Sequence, residues 1–170
     1  MVAKANIQTI FNIPLSWDAS QRDYAAQLII EKIQANTTKG LDKNGDSFSK
    51  YSNEYKHSVD FHNADKSNRV NLQLTGDMLN SIEVIQSLPG KLIIGYPTGS
   101  KMAGQVEGNQ IGSYGHKPNE AHARPFLGLP KEQLDLIIAK VNSLSVEQKT
   151  TNDFMNNILN SLLGRVNSGN

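Results

Sequence analysis

The chain has 170 residues, which fits one domain of ordinary size, since domains commonly run to ~100–200 residues. It contains no cysteine, which excludes disulfides, thiol catalysis and cysteine-bearing metal sites. A formal net charge of +1 is too small for an overall electrostatic attraction to nucleic acid or to a membrane surface. Only a local basic patch could bind either of them. No apolar run approaches the ~20 residues of a membrane helix, and no signal peptide is expected.

The first forty residues predict one strand and one long helix. Apolar residues alternate over 7–13, as in a short strand. Asp18 and Gln21 have the spacing of a capping box, so a helix is expected to begin there and to run to about Thr38. Its buried stripe is expected to consist of Ala25, Leu28, Ile29 and Ile33.

Residues 40–68 show no periodicity and predict a long loop that contains several aromatic side chains. Loops beyond ~15 residues are uncommon in compact domains, and aromatic residues argue against plain disorder. We therefore expect an arm that becomes ordered against a partner, with Phe48, Tyr51 and Tyr55 as contact residues. Cations are frequent over 39–69 and the aromatics could stack on bases, so a nucleic-acid-binding module is the alternative, although interleaved acids weaken it.

The middle of the chain predicts a strand, a short helix and a hairpin. Alternating apolar residues over 70–74 indicate the strand, and Thr75 is expected to cap a helix over 76–82. Residues 83–87 and 91–96 are expected to pair as a β-hairpin.

Two irregular stretches separate the hairpin from the next helix. Residues 95–115 are glycine-rich and predict a second extended loop, and residues 121–129 predict a strand or an extended segment. Pro130 is suited to the first position of a helix. The apolar face of that helix is expected to consist of Leu134, Ile137, Ile138 and Val141.

The C-terminal residues predict an amphipathic helix, because apolar side chains recur there every three to four positions. This C-terminal stripe consists of Phe154, Met155, Ile158, Leu159, Leu162 and Leu163. The stripe either covers the core of its own chain or contacts a neighbouring subunit, and the polar connector over 143–149 would let it reach outward.

Together the elements predict an α+β fold. We expect a small mixed or antiparallel sheet packed by two main helices, with long loops and a C-terminal amphipathic helix. One domain is expected over 1–145, followed by a helical extension over 146–170.

Three patterns of site chemistry fail on spacing, and two others are absent from the sequence. Residues 42–53 lack the sixth-position Gly and twelfth-position Glu of a calcium loop, and residues 95–101 lack the spacing of a phosphate loop. The four histidines are too loosely spaced for a metal set, and no nucleophile elbow or marked carboxylate pair occurs. We therefore expect no catalytic, cofactor or metal site and no enzyme activity.

Five segments, taken in order, resemble a known family. They are the glycine, aspartate and Tyr-Ser stretch over 40–55, the Leu-Thr-Gly to Ser-Ile element over 74–82, a strand ending at Gly95, the loop with Gln105 and Gly108, and Ala-Arg-Pro-Phe-Leu-Gly-Leu over 123–129. This order is similar to that of virion-morphogenesis proteins of tailed bacteriophages, in the neck or tail-completion group.

The resemblance implies a structural virion protein without enzyme activity or cofactor. It implies a homo-oligomeric ring, expected to be a hexamer, that joins the head connector to the tail as a neck, tail-completion or tail-terminator protein. Expected partners are other copies of the chain, portal, adaptor or stopper proteins, and tail-tube or sheath proteins. Nonspecific contact with DNA in the channel stays open, and no membrane partner is expected.

The implied location is the neck or tail of the virion, after assembly in the host cytoplasm. Arg124 is expected to pair either with a carboxylate of an adjacent chain or within its own chain. A virion-associated hydrolase is a less favoured alternative class.

Overall fold

The computed structural model describes residues 7–51, 53–57, 72, 76–114, 116–144 and 154–155. These residues form a small α+β fold with a three-stranded antiparallel sheet, which confirms the predicted fold class. No helix within the described segments combines the length and the apolar character needed to cross a bilayer.

The sheet contains β1 (Gln8–Asn12), β2 (Glu83–Leu88) and β3 (Lys91–Gly95) in the order β1-β3-β2. Strands β2 and β3 form the predicted hairpin, and both neighbours of β3 run antiparallel to it. Gly90 in the hairpin turn has a φ of +80°, a conformation that glycine adopts without strain. The register places Phe11 opposite Leu92 and Ile10 opposite Ile93, so the two pairs lie on opposite faces.

The long helix α1 (Ala19–Thr38) begins at the predicted capping box. The amide of Gln21 donates to Oδ1 of Asp18 at 2.8 Å, and the amide of Asp18 donates to Oε1 of Gln21 at 2.9 Å. These two hydrogen bonds satisfy two of the four backbone amides at the start of the helix that have no partner within it. The buried side of α1 consists of Ala25, Ala26, Ile29 and Ile33, together with Asn36 and Thr37. Leu28 of the predicted stripe is only half-buried.

Three further short helical segments follow: α2 (Asn53–Lys56), α3 (Asp77–Asn80) and α4 (Ala103–Ile111). Helix α3 begins one residue later than predicted, and the residue before it, Gly76, is left-handed with a φ of +78°. The predicted cap Thr75 lies outside the described residues, as does the predicted strand over 70–74 apart from Leu72.

Helix α4 corrects the prediction of a second extended loop over 95–115. Two glycines within it hide the helical pattern, because glycine is a poor helix former. One of them, Gly108, faces the ring of Tyr114, and a Cβ there would lie 2.8 Å from Cδ1 of that ring. Packing around the fully buried Val106 therefore overrides the weak intrinsic preference of the segment.

The segment that follows α4 contains a 3-10 turn (Glu120–His122) and then an extended lead-in to helix α5 over 131–144. This lead-in forms no strand. Residues 121–129 were predicted to be either a strand or an extended segment, and after the 3-10 turn the extended segment is correct. Helix α5 confirms the helix predicted after Pro130, with Val141 buried and Leu134, Ile137 and Ile138 packed against the core.

Helix α5 runs antiparallel to α1. Nδ2 of Asn36 donates to Oε1 of Gln133 at 2.8 Å near one end, and the ammonium of Lys140 lies 5.9 Å from the ring centre of Tyr24 further along. Helix α1 also packs on β2 and β3. The core therefore lies between the helices and the inner face of the sheet, and it includes Phe11, Leu92, Ile94 and Trp17.

Only two residues of the predicted C-terminal helix lie within the described part of the chain. Phe154 and Met155 are helical and exposed. The other stripe residues, Ile158, Leu159, Leu162 and Leu163, lie outside the described residues, and so does most of the predicted extension over 146–170.

Candidate functional site

Segments that are distant along the chain meet around Arg124. The amide of Lys43 donates to the carbonyl of Pro125 at 2.8 Å, and the amide of Arg124 donates to the carbonyl of Asn109 at 2.6 Å. The amide of Phe126 donates to Oε1 of Gln110 at 2.9 Å. The loop after α1, helix α4 and the segment before α5 are thereby joined, and they carry three of the segments that resemble the phage family.

The guanidinium of Arg124 is buried, with 7% of the residue exposed. It donates to four neutral oxygens: the carbonyls of Ser49 at 3.2 Å, Lys50 at 3.2 Å and His122 at 3.4 Å, and the hydroxyl of Tyr114 at 2.8 Å. The guanidinium carbon also lies 5.2 Å from the ring centre of Tyr51, which is within cation–π range.

No carboxylate in the described part of the chain forms an ion pair with Arg124, since the ion pair found there joins Lys131 to Asp135 on the surface. The charge of Arg124 is held by carbonyl dipoles, a hydroxyl and an aromatic face. The five donors of a guanidinium suit this role, because they can hold several chain segments at once. Arg124 thus acts as an internal cross-link between loop and helix.

Tyr114 extends the cluster into α4. Its hydroxyl donates to Oδ1 of Asn109 at 2.8 Å, and Nδ2 of Asn109 donates to the carbonyl of Gln105 at 2.8 Å. Burial raises the pKa of Tyr114 above its ordinary value, and Arg124 offsets part of that rise. The hydroxyl therefore keeps its proton at neutral pH and donates to Asn109 while accepting from Arg124.

Tyr96 forms a second buried link, between the end of β3 and α3. Its hydroxyl donates to the carbonyl of Met78 at 2.6 Å, and the side chain has no exposed surface. Burial raises the pKa of Tyr96 well above its ordinary value, because the charged phenolate would lose its hydration. No buried side-chain nitrogen or oxygen within the described segments lacks a hydrogen-bond partner.

These placements correct the contact role predicted for Phe48, Tyr51 and Arg124. Each is at most 8% exposed within its own chain, so each has almost no surface to offer a partner. The alternative, an ion pair of Arg124 within its own chain, is not found among the described residues either, where its hydrogen-bond partners are neutral oxygens. The same burial leaves Phe48 and Tyr51 unable to stack on bases, which weakens the nucleic-acid alternative. The side chain of Tyr55 lies outside the described residues.

The residues considered for metal or phosphate form ordinary turns. Oδ1 of Asp42 accepts from the amides of Asn44 at 2.8 Å and Asp46 at 2.9 Å, which is an Asx turn. The amide of Ser100 donates to the carbonyl of Pro97 at 3.0 Å. Among the described residues no group of three or more His, Asp or Glu side chains is placed to hold a metal ion.

Exposed apolar side chains mark the face of the sheet that points away from the core. We call Ile10, Leu88 and Ile93 the outer sheet face. Ile10 is 59% exposed, Leu88 is exposed and Ile93 is half-buried. The register places Ile10 opposite Ile93 and Leu88 opposite Lys91, so the charged Lys91 shares this face with the three apolar residues. None of the three belongs to the core cluster.

A second exposed apolar surface begins at the C-terminal stripe. Phe154 is 63% exposed and Met155 is 59% exposed. Large exposed apolar side chains in clusters are typical of surfaces that bind another protein. Both predicted roles of the stripe stay predictions, since its other four residues lie outside the described part of the chain.

The outer sheet face was not among the residues that sequence reasoning selected, although one signal pointed to it. Strand β3 contains the continuous apolar run 92–94. Such runs are typical of strands that are covered on both faces. The roles of Tyr114 and Asn109 were also missed, because they arise where the segment after α4 folds back to Arg124, which no local pattern shows. Comparisons with models of protein families, with curated proteins and with solved structures found no match.

Proposed function

We propose that this chain is a structural protein of a tailed-bacteriophage virion, which forms a ring at the neck or the end of the tail and joins the head connector to the tail. The ring consists of copies of this chain, six in the form we favour. It contacts portal, adaptor or stopper proteins on one side and tail-tube or sheath proteins on the other. It performs no reaction and uses no cofactor, and it acts in the virion after assembly in the host cytoplasm.

The observation that carries the proposal is the convergence of the family-like segments on one buried cluster. The carbonyls of Ser49 and Lys50 accept from Arg124, and Lys43 is hydrogen-bonded to Pro125. Tyr96 similarly holds Met78 of the 74–82 element. The residues that carry the resemblance therefore stabilise the fold. This stabilising role supports the proposal that the protein is a structural one.

The exposed apolar surfaces supply the second line of support. A chain with a mean hydropathy of −0.45 is polar overall, yet it exposes Ile10, Leu88, Phe154 and Met155. Ring subunits bind two neighbours through two different surfaces. The outer sheet face and the C-terminal stripe are two such surfaces on one chain.

Two measurements test the proposal. Native mass spectrometry of the purified full chain is expected to give a closed homo-oligomer, and electron microscopy is expected to show rings. In a phage that lacks the protein, full heads beside unattached tails are the expected particles. A monomer that hydrolyses a virion or cell-wall substrate would refute the proposal, and so would normal particle assembly without the protein.

A further inference from the structure

The outer sheet face belongs to a sheet whose central strand, β3, carries Lys91, Ile93 and Gly95 on that side. Leu92 and Ile94 are fully buried on the inner face, and Ile93 lies between them on the outer face. Within the single chain the neighbour of Ile93 across the sheet, Ile10, is 59% exposed. Ile93 and Ile10 are therefore the part of this face that a second layer would remove from water.

The C-terminal stripe has the chemistry of such a layer. Phe154 and Met155 are exposed at its start, and apolar residues recur to Leu163. The intervening positions, Asn156, Asn157, Asn160 and Ser161, are polar but uncharged. An amphipathic segment of this kind can lie across a sheet without placing a charge against its apolar residues.

The length of the chain beyond α5 allows the stripe to reach another copy. The structure describes α5 to residue 144, and residues 145–153 separate that point from Phe154. An extended chain spans up to roughly 3.5 Å per residue, so this connector reaches up to about 30 Å, the width of a small domain.

We propose that the C-terminal stripe of each copy packs on the outer sheet face of the next copy. This rests on the proposed function, since it requires several copies to associate, and it names the two surfaces that meet. The donating and receiving surfaces are different, so the contact is heterologous, and a heterologous contact with the right rotation closes into a ring. Each copy donates one stripe and receives one.

Complementation between two defective variants tests this arrangement. Ile10→Lys places a charge on the receiving surface, and deletion of 150–170 removes the donating one. Each variant alone is expected to be monomeric by light scattering. An equimolar mixture is expected to form a dimer and nothing larger, because only one productive contact remains. The matched control is Leu136→Lys on the exposed side of α5, which is expected to assemble like the unmodified chain.

Folding of each variant is verified by the fluorescence of Trp17, the chain's one tryptophan, which is buried. If folded Ile10→Lys assembles normally, or if the mixture of two monomeric variants stays monomeric, the proposed contact is wrong while the ring itself stands. If the unmodified chain is monomeric, the proposed function fails and this inference fails with it.

Chemical cross-linking supplies an independent test, since the chain has no cysteine of its own. Ile10→Cys and Met155→Cys are prepared separately, mixed, and treated with a short bis-maleimide. The expected product is a mixed dimer, and Leu136→Cys in place of Ile10→Cys is expected to give much less of it. Equal yields from positions 10 and 136 would overturn the proposed contact.

Discussion

Replacement of Arg124 by alanine is expected to destabilise the fold strongly without acting on a subunit surface. The guanidinium makes three hydrogen bonds of 3.2 Å or less and one longer one. Net values for hydrogen bonds to charged groups are about 1.5–3 kcal/mol each. Water entering the vacated space compensates some of the freed oxygens, so we expect a loss of about 3–4 kcal/mol, a large fraction of the ~5–15 kcal/mol typical of a domain.

Urea unfolding followed by Trp17 fluorescence measures this loss as a lower midpoint at an unchanged slope. Arg124→Lys keeps the charge but cannot reach all four oxygens, so about half the loss is expected. Tyr114→Phe removes one acceptor of Arg124 and leaves Oδ1 of Asn109 without that donor, so a loss of about 1–2 kcal/mol is expected. If Arg124→Ala unfolds like the unmodified chain but no longer assembles, the guanidinium serves a neighbour and the internal assignment is wrong.

Four other substitutions, one of them a control, test separate features by the same urea titration. Gly112→Ala is expected to cost about 2 kcal/mol or more, because φ is +67° there and a Cβ would clash with the carbonyl of Asn119. Gly104→Ala in α4 is the matched control: nothing lies within 4 Å of its Cβ position, so a gain of about 0.5–1 kcal/mol is expected, and a loss would contradict the assigned helix. Asp18→Ala is expected to cost about 1 kcal/mol through loss of the cap, and an unchanged midpoint would refute the capping box. Burial raises the pKa of Tyr96, so above about pH 10 unfolded tyrosine releases a proton that the folded state keeps, and the free energy of unfolding falls by up to ~1.4 kcal/mol per pH unit. Tyr96→Phe is expected to make this decline shallower between pH 10 and 11, and an unchanged slope would contradict the assignment.

Local signals in the sequence were sufficient for the elements that begin or end on specific side chains. The spacing of Asp18 and Gln21 identified the start of α1, and Pro89-Gly90 identified the hairpin turn. Helix α4 was missed because it is stabilised by tertiary packing around Val106, which overrides the unfavourable propensity of its two glycines. Sequence periodicity reveals a helix only when apolar residues recur on one face. Helix α4 has too few apolar residues to show such a face.

The partners of Arg124 could not be predicted for a different reason. Three of its four acceptors are backbone carbonyls, which every residue has, so no residue type in the sequence marks them. The cation of Arg124 directly before Pro125 was therefore interpreted as a contact with a partner. The structure places the same residue inside the fold, where carbonyl dipoles replace the expected carboxylate.

The residues of the family-like pattern and the residues proposed for subunit contact thus form two separate sets. The first set, around Arg124 and Tyr96, is buried and hydrogen-bonded, so its variants should lower stability, and assembly should weaken only as far as folding does. The second set, on the outer sheet face and the stripe, is exposed, so a variant such as Ile10→Lys should abolish assembly at nearly unchanged stability. When the assembled fraction of each variant is plotted against its urea midpoint of unfolding, the variants of the two sets should form two separate groups. If all variants instead fall on one line, association follows from folding alone and neither exposed surface has a specific role.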